Sequence, residues 1–276
     1  MTPRQPRHRV ALLTGASSGI GEALAAALAA TGTHVLLAAR SVPRLEALRA
    51  RIEAGGGRAT VLPADLAAPG AARRLFDEVE RLALPVDLLV NNAGFGFHGG
   101  FETEAPAHLS HMLQVNVVAL TELTHQFVPT LLARRGTVLN IASTVAFQPA
   151  PFMAAYGATK AYVLSLSEAL WAEYRGRGLH VAALCPGPVD TPFVDAAGPG
   201  ARSTAVFRRL LTVADVVEAA MTALETRRPT RIVGRLNQLM AQSARLSPRA
   251  LTARISAALL APPETPTPRT PTGRLP

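Results

Sequence analysis

Val10-Ala11-Leu12-Leu13-Thr14-Gly15-Ala16-Ser17-Ser18-Gly19-Ile20-Gly21 runs into Glu22-Ala23-Leu24-Ala25-Ala26-Ala27-Leu28, which reads as a strand, a glycine turn and a helix. Glycine lets the backbone take positive φ and lets a phosphate approach without meeting a Cβ, while the free N–H groups at a helix start favour an anion. Gly15, Ser17, Ser18, Gly19, Ile20 and Gly21 are therefore candidate ligands of a dinucleotide pyrophosphate. The spacing Gly15-x3-Gly19-x-Gly21 departs from the G-x-G-x-x-G fingerprint, so the strand and helix around it carry the reading as much as the glycines do. Arg4, Arg7 and Arg9 precede the apolar run as they would in a secretory leader. Polar Thr14 to Gly21 interrupts that run too early for a leader, and none is expected.

Outward from this unit, short apolar runs alternate with alanine-rich helical stretches. Strands are predicted at 10–14, 34–39, 59–63, 88–91, 137–142, 181–184 and 231–233, with helices beginning near Ile20, Pro43, Ala68, Pro106, Ala155 and Ala214. Near-continuous apolar strands separated by helices imply an α/β fold, a Rossmann-like, doubly wound parallel sheet of about seven strands with helices on both faces. Ligands of such sheets sit at the carboxyl ends of the strands. A single dinucleotide-binding and catalytic domain is expected over 1–261, followed by a disordered Pro/Thr-rich tail over 262–276.

A second feature is the chain's lone lysine. Of 28 basic residues 27 are arginine, and Lys160 follows Tyr156 by four positions in Tyr156-Gly157-Ala158-Thr159-Lys160. Helical positions i and i+4 share a face, so a phenol and an ammonium would point into the same space. Lysine is a compact charge on a thin stem that a crowded site can hold where a planar guanidinium would not fit.

Further stretches follow in order: Asp65-Leu66, Asn91-Asn92-Ala93-Gly94, Asn116, Ser143, and Pro186-Gly187-Pro188-Val189-Asp190-Thr191. With the glycine turn and the Tyr156/Lys160 pair, this ordered set resembles the short-chain dehydrogenase/reductase family from about Arg9 to Thr191. The resemblance implies an oxidoreductase interconverting a carbonyl and a secondary alcohol. It also implies that Asp65 and Leu66 meet the adenine, that Asn92, Ala93 and Gly94 line the nucleotide, and that Pro186, Gly187, Val189 and Thr191 hold the nicotinamide end. By the same resemblance Asn116 holds a proton-relay water and completes a tetrad with Ser143, Tyr156 and Lys160.

Hydride transfer leaves a proton to be managed on oxygen, and Tyr156 is the candidate general acid/base. A free phenol has a pKa of about 10, so the charges of Lys160 and of an oxidised nicotinamide are expected to bring it down. Ser143, at the end of an apolar strand, is placed to orient the substrate oxygen, with Thr144 an adjacent competitor.

Enzymes of this architecture that use NAD carry an acid at the end of the second strand for the adenosine ribose. Here that place reads Ala38-Ala39-Arg40-Ser41, with no acid between Glu22 and Glu46. Arg40 can instead donate to a 2′-phosphate, so NADP(H) is expected in preference to NAD(H).

Phe95, Phe97 and His98, with Phe193 and the glycines of 192–200, suggest an apolar mouth, and the resemblance implies a ketone, hydroxysteroid or 3-oxoacyl type of substrate. Residues 236–260 form an amphipathic segment broken at Ser247-Pro248, for which packing on the domain, a lid, a partner helix and a peripheral membrane contact stand open, packing favoured. The resemblance implies a homodimer through the helices bearing Asn116 and Tyr156, with Leu164, Ala169, Leu170 and Trp171 as added apolar surface.

A formal charge of +9 with 5% aromatics and no interleaving of rings and arginines argues against nucleic acid. The lone Cys185 suits a reducing cytoplasm, and no metal site is expected, since His108 and His111 have no third ligand nearby. The alternative function is a nucleotide-sensing protein that binds NADP(H) without turnover.

Overall fold

The computed structural model describes residues 8–198, 202, 204 and 210–261. Seven strands form one parallel sheet: β1 Val10–Thr14, β2 His34–Ala39, β3 Arg58–Pro63, β4 Leu88–Asn91, β5 Thr137–Ile141, β6 His180–Cys185 and β7 Thr230–Ile232. Their order is β3-β2-β1-β4-β5-β6-β7. The doubly wound fold read from the sequence is the fold observed, and each predicted strand is present with its edges moved by at most one residue.

Each central strand is buried on both faces, which is why these segments are apolar throughout rather than alternating. One face, with Leu13, Leu37 and Val90, packs on α1 (Gly19–Ala30), α2 (Val42–Ala54) and α8 (Val213–Thr226). The other, with Leu12, Leu36 and Leu89, packs on α3 (Ala71–Arg81), α5 (Leu120–Ala133) and α6 (Ala154–Tyr174). The remaining helices are α4 (Pro106–Leu113), α7 (Pro192–Ala196), α9 (Arg235–Leu246) and α10 (Arg249–Leu260). Within the sheet, buried Asn91 donates to Asn140 Oδ1 at 2.9 Å and to Thr124 Oγ1 at 3.0 Å, and Asn140 donates to Ser167 Oγ at 2.9 Å. This polar rung fixes α5 and α6 against β4 and β5, because leaving any of these amides unpaired in the core costs about 1–3 kcal/mol.

Two helices differ from expectation. The third helix begins at Ala71 rather than Ala68, because Gly70 takes φ 68° at its N-cap and ends a preceding turn. The segment starting at Pro106 is α4, a π-helical turn over Gln114–Ala119 and then α5. Apolar periodicity registers the helical content but not the extra residue in that turn.

The chain leaves β1 toward β2 and β3 on one side, then returns to β4 on the other. A crevice opens where the order reverses, at the carboxyl ends of β1 and β4. The proposed tail at 262–276 lies outside the described residues.

Candidate active site

The glycine turn is held open by its neighbours. Gly15 and Gly19 have φ of 68° and 57°, and a Cβ on Gly21 would stand 2.2 Å from Gly15 O. Thr14 Oγ1 accepts from the backbone N–H groups of Asn92 and Ala93, both at 3.1 Å, and Asn92 Nδ2 donates to Thr14 O and Gly15 O at 3.0 and 3.1 Å. Asn92, implied by resemblance to line the nucleotide, thus spends its amide donor bracing the turn. Thr14 is a site residue that the sequence reading treated only as a strand end.

The crevice is a cleft of about 320 Å3. Gly15, Ser17, Ser18, Gly19, Ile20, Gly21, Arg40, Asp65, Leu66, Asn92, Ala93, Gly94, Ser143, Tyr156, Lys160, Pro186, Gly187, Val189 and Thr191 all line it, so every predicted cofactor-binding residue reaches one cavity. Asp65 is its one acidic lining residue among those described, and its Oδ1 accepts from Ala67 N at 3.1 Å. Arg40, exposed just beyond β2, also lines the cleft. A strand-end cradle that only glycine can form, a helix start above it and a cation at the second strand are a fit for a phosphorylated dinucleotide.

At the other end stands Tyr156 with Lys160 one helical turn along α6. The Tyr156 phenol is pushed above its ordinary pKa by burial, and a hydrogen bond with Ser143 pulls the other way. The Lys160 ammonium is 5.7 Å from the Tyr156 ring centroid and donates to Ile141 O at 2.7 Å. Burial brings its pKa down to about 8, with the Cys185 thiol opposing. The expected lowering of the phenol by Lys160 is therefore not a property of the protein alone: desolvation of Tyr156 outweighs it, and the ammonium is engaged elsewhere.

Asn116 does not line the cleft but stands behind its wall. It sits inside the π-helical turn, accepts from Phe95 N at 3.1 Å and donates to Phe95 O at 2.9 Å and Thr159 Oγ1 at 3.1 Å. It ties the loop after β4 to the helix carrying Tyr156 and Lys160. A Cβ on Gly94 would come within 3.0 Å of Asn116 Oδ1 and 3.4 Å of Lys160 Nζ, so the backbone there passes closely between them.

The mouth is apolar. Phe95, Met153, Phe193, Val194 and Leu260 line it, and Phe193 packs on the Tyr156 ring at 5.4 Å between centroids. Met153 and Leu260 escaped the sequence reading. His98 binds the mouth together: its N–H donates to Ala197 O at 2.6 Å after α7, and its buried Nε2 lies 2.8 Å from Leu260 O at the end of α10. No motif signals that contact. Phe97 instead packs on His108, whose Nδ1 meets Glu104 at 3.0 Å. No metal-binding cluster occurs among the described residues.

Of the residues expected to add apolar surface, Leu164 is buried, Leu170 and Trp171 are partly buried against the core, and Ala169 is exposed. The exposed apolar residues near Asn116 and on the Tyr156 helix are Leu113, Val118 and Tyr162. Arg202 makes a solvent-exposed bidentate pair with Asp195 at 2.6 and 3.1 Å and reaches Asp190 at 3.1 Å.

Residues 9–201 match the family model for short chain dehydrogenase. The chain belongs to the short-chain dehydrogenase family. It is 38% identical over 191 residues to a short chain dehydrogenase of Pseudocercospora fijiensis, covering 68% of this chain and 62% of that protein. It is 32% identical to the ketoacyl reductase HetN of a Nostoc species, covering 66% of this chain and 64% of that one. The chain thus spans less than two thirds of the length of these two relatives. A fatty acyl-CoA reductase of Acinetobacter baylyi is 31% identical, with 88% of this chain and 81% of that protein covered. Among solved structures, a short-chain dehydrogenase from Sphingobium yanoikuyae in complex with NADPH superposes with a TM-score of 0.77 at 31% identity, covering 86% of this chain and 93% of that one. Other short-chain dehydrogenase structures similar to this chain hold NADP or NAD.

Proposed function

We propose that this short-chain dehydrogenase reduces a carbonyl, or oxidises the corresponding secondary alcohol, with NADP(H) preferred, on an apolar or lipid-like substrate. The observation that carries the reading is the convergence of Ser143, Tyr156 and Lys160 on the cleft that the glycine turn opens.

A bound nicotinamide supplies or accepts the hydride. Tyr156 gives its phenolic proton to the carbonyl oxygen as the alcohol forms, and takes it back in oxidation. Its burial favours the protonated acid that reduction needs. Ser143 hydrogen-bonds both the substrate oxygen and the phenol, so the proton and its destination share one anchor. Lys160 places a positive charge where the phenolate develops, in a region dry enough for that charge to act strongly. Asn116 positions this group by holding the Phe95 loop to α6, and its part in a proton-relay water belongs to the same proposal.

Arg40 supports the cofactor preference, as a guanidinium at the second strand end, where no acidic residue follows the strand. The apolar mouth supports a substrate whose carbonyl is flanked by hydrocarbon, consistent with relatives named for ketoacyl and fatty acyl-CoA reduction. Leu113, Val118 and Tyr162 support a homodimer through the helices of Asn116 and Tyr156. The lone buried thiol suits a cytoplasmic setting.

The test is a panel of ketones and alcohols with NADPH, NADH and their oxidised forms, followed by nicotinamide absorbance. Turnover of long-chain or polycyclic ketones with NADPH, dependent on Tyr156, is the expected result. Cofactor binding without turnover on any member would favour the sensing alternative.

A further inference from the structure

Helices α9 and α10 do not bury the faces that their composition would assign to a core. On α9, Leu236, Leu239, Met240 and Leu246 are exposed, Leu239 at 66% and Leu246 at 89%, while the small Ala241 is the residue turned inward. The spacing 236, 239, 240, 246 follows one side of a 3.6-residue helix, so these chains form a stripe and not a scatter. On α10 the usual pattern is inverted: Thr252 and Ser256 are buried and Leu251 and Ile255 are exposed, Ile255 at 54%. Only Ser247 and Pro248 separate the two helices. Packing on the domain, favoured from the sequence, accounts for Ala241, Thr252, Ser256 and Leu260, and leaves the large apolar side chains in solvent.

The charge of this segment is one-sided. Between Arg227 and Pro263 the chain has seven arginines and no Asp or Glu. Arg235, Arg249 and Arg254 are exposed on the same two helices. Exposed apolar side chains and arginines on two helices that themselves carry no acid suit an interface that is hydrocarbon below and anionic above, which is the physical description of an acidic bilayer surface. A symmetric contact with a second copy through this face would set the same arginines against each other. No helix among the described residues is long and apolar enough to cross a membrane, so contact would lie in the interface.

We propose that α9 and α10 form a docking surface for an anionic lipid bilayer. Leu236, Leu239, Met240, Leu246, Leu251 and Ile255 enter the acyl boundary, and Arg235, Arg249 and Arg254 meet lipid phosphates. Leu260, the last residue of α10, lines the catalytic cleft, so the docked helices are continuous with the mouth through which an apolar substrate enters.

The experiment is vesicle sedimentation of the full chain, using phosphatidylcholine vesicles with and without phosphatidylglycerol. Binding is expected on the anionic vesicles, weakened by salt, with a partition coefficient about tenfold or more above that on the neutral ones. Leu239→Gln/Leu246→Gln/Ile255→Gln and Arg235→Gln/Arg249→Gln/Arg254→Gln should each lower it about tenfold or more. Both variants alter exposed side chains, so unchanged melting and unchanged turnover of a water-soluble ketone serve as controls of fold. Absence of binding to anionic vesicles at low salt overturns the proposal. So does binding that neither triple variant weakens, and so does a dimer in light scattering that the leucine/isoleucine variant dissolves. Sedimentation needs no turnover, so a chain that binds vesicles but reduces nothing would refute the reductase reading and leave the docking surface standing.

Discussion

The two ends of the cleft are built by different means. The nucleotide end is made of consecutive residues at strand ends, braced by hydrogen bonds from Thr14 and Asn92, and it tolerates almost no added atom: a Cβ on Gly15 would lie 2.8 Å from Ala93 Cα. The substrate end is assembled from the loop after β4, from α7 and from the end of α10, joined at His98 and lined by apolar side chains. A phosphate needs fixed donors and close backbone approach, which a short motif supplies. A hydrocarbon needs only volume and apolar walls, which many sequences supply. On the proposed function, the cofactor chemistry falls to strand-end motifs and the substrate range to the loop after β4, α7 and the end of α10.

The sharpest way to break this division is to remove the acid that joins the two ends. Tyr156→Phe should reduce kcat/KM about a hundred- to ten-thousandfold while NADPH binding, measured by fluorescence titration, stays near the parent value. Substantial turnover in that variant would remove Tyr156 from the mechanism.

Next in size is the cofactor preference. A charge-assisted hydrogen bond contributes about 1.5–3 kcal/mol, so Arg40→Ala should lower the NADPH/NADH ratio of kcat/KM roughly ten- to more than hundredfold. Adding Ala39→Asp should favour NADH further. An unchanged ratio in Arg40→Ala would mean that the guanidinium contributes only as a solvated charge.

The tightness of the nucleotide end is tested by Gly21→Ala. The new Cβ meets backbone oxygen and Asn92, so the turn must shift; a loss of about 1–3 kcal/mol in denaturant unfolding is expected, together with weaker cofactor binding. Equal stability would show that the turn adapts.

Lys160 offers a stability test of opposite sign. Its folded pKa is brought to about 8, below that of the exposed side chain. Burying the ammonium therefore costs stability that is fully present below pH 8. The cost is relieved as pH rises from there toward the unfolded value, because the unfolded chain then holds a proton that the folded one has released. Lys160→Met should lose turnover yet be more stable at neutral pH by about 1–3 kcal/mol, with the gap narrowing above pH 8. A gap that widens with pH would contradict this assignment.

The smallest effect belongs to the substrate end. His98→Ala should change relative kcat/KM between short and bulky ketones several-fold, chiefly through KM, while leaving NADPH affinity alone, because it loosens the mouth without touching Tyr156. A uniform loss across substrates and cofactor would make His98 a general support of the fold.

Much of this was legible beforehand. The strands announced themselves because a parallel sheet covered on both sides must be apolar along its whole length, and the meeting of Gly15, Gly19, Gly21, Tyr156 and Lys160 at one cleft was readable because it depends on spacing along a strand, a turn or a helix. Other roles were not. Leu164 read as added surface on the Tyr156 helix but is buried, because which side of a helix meets its own sheet depends on how the helix rolls against that sheet, and periodicity leaves the roll open.

The sequence by itself determined the doubly wound sheet, the glycine cradle, the convergence of Ser143, Tyr156 and Lys160, and the cation at the second strand, since each follows from contacts between residues near in the chain or at equivalent strand ends. Only the tertiary structure decided that Asn116 stands behind the wall, that burial rather than Lys160 dominates the free phenol, that Leu260 closes the mouth through His98 across 162 positions, and that α9 and α10 turn their leucines outward. The physical reason is that burial and long-range hydrogen bonding depend on which surfaces meet once the chain has folded, and local pattern carries no record of that meeting.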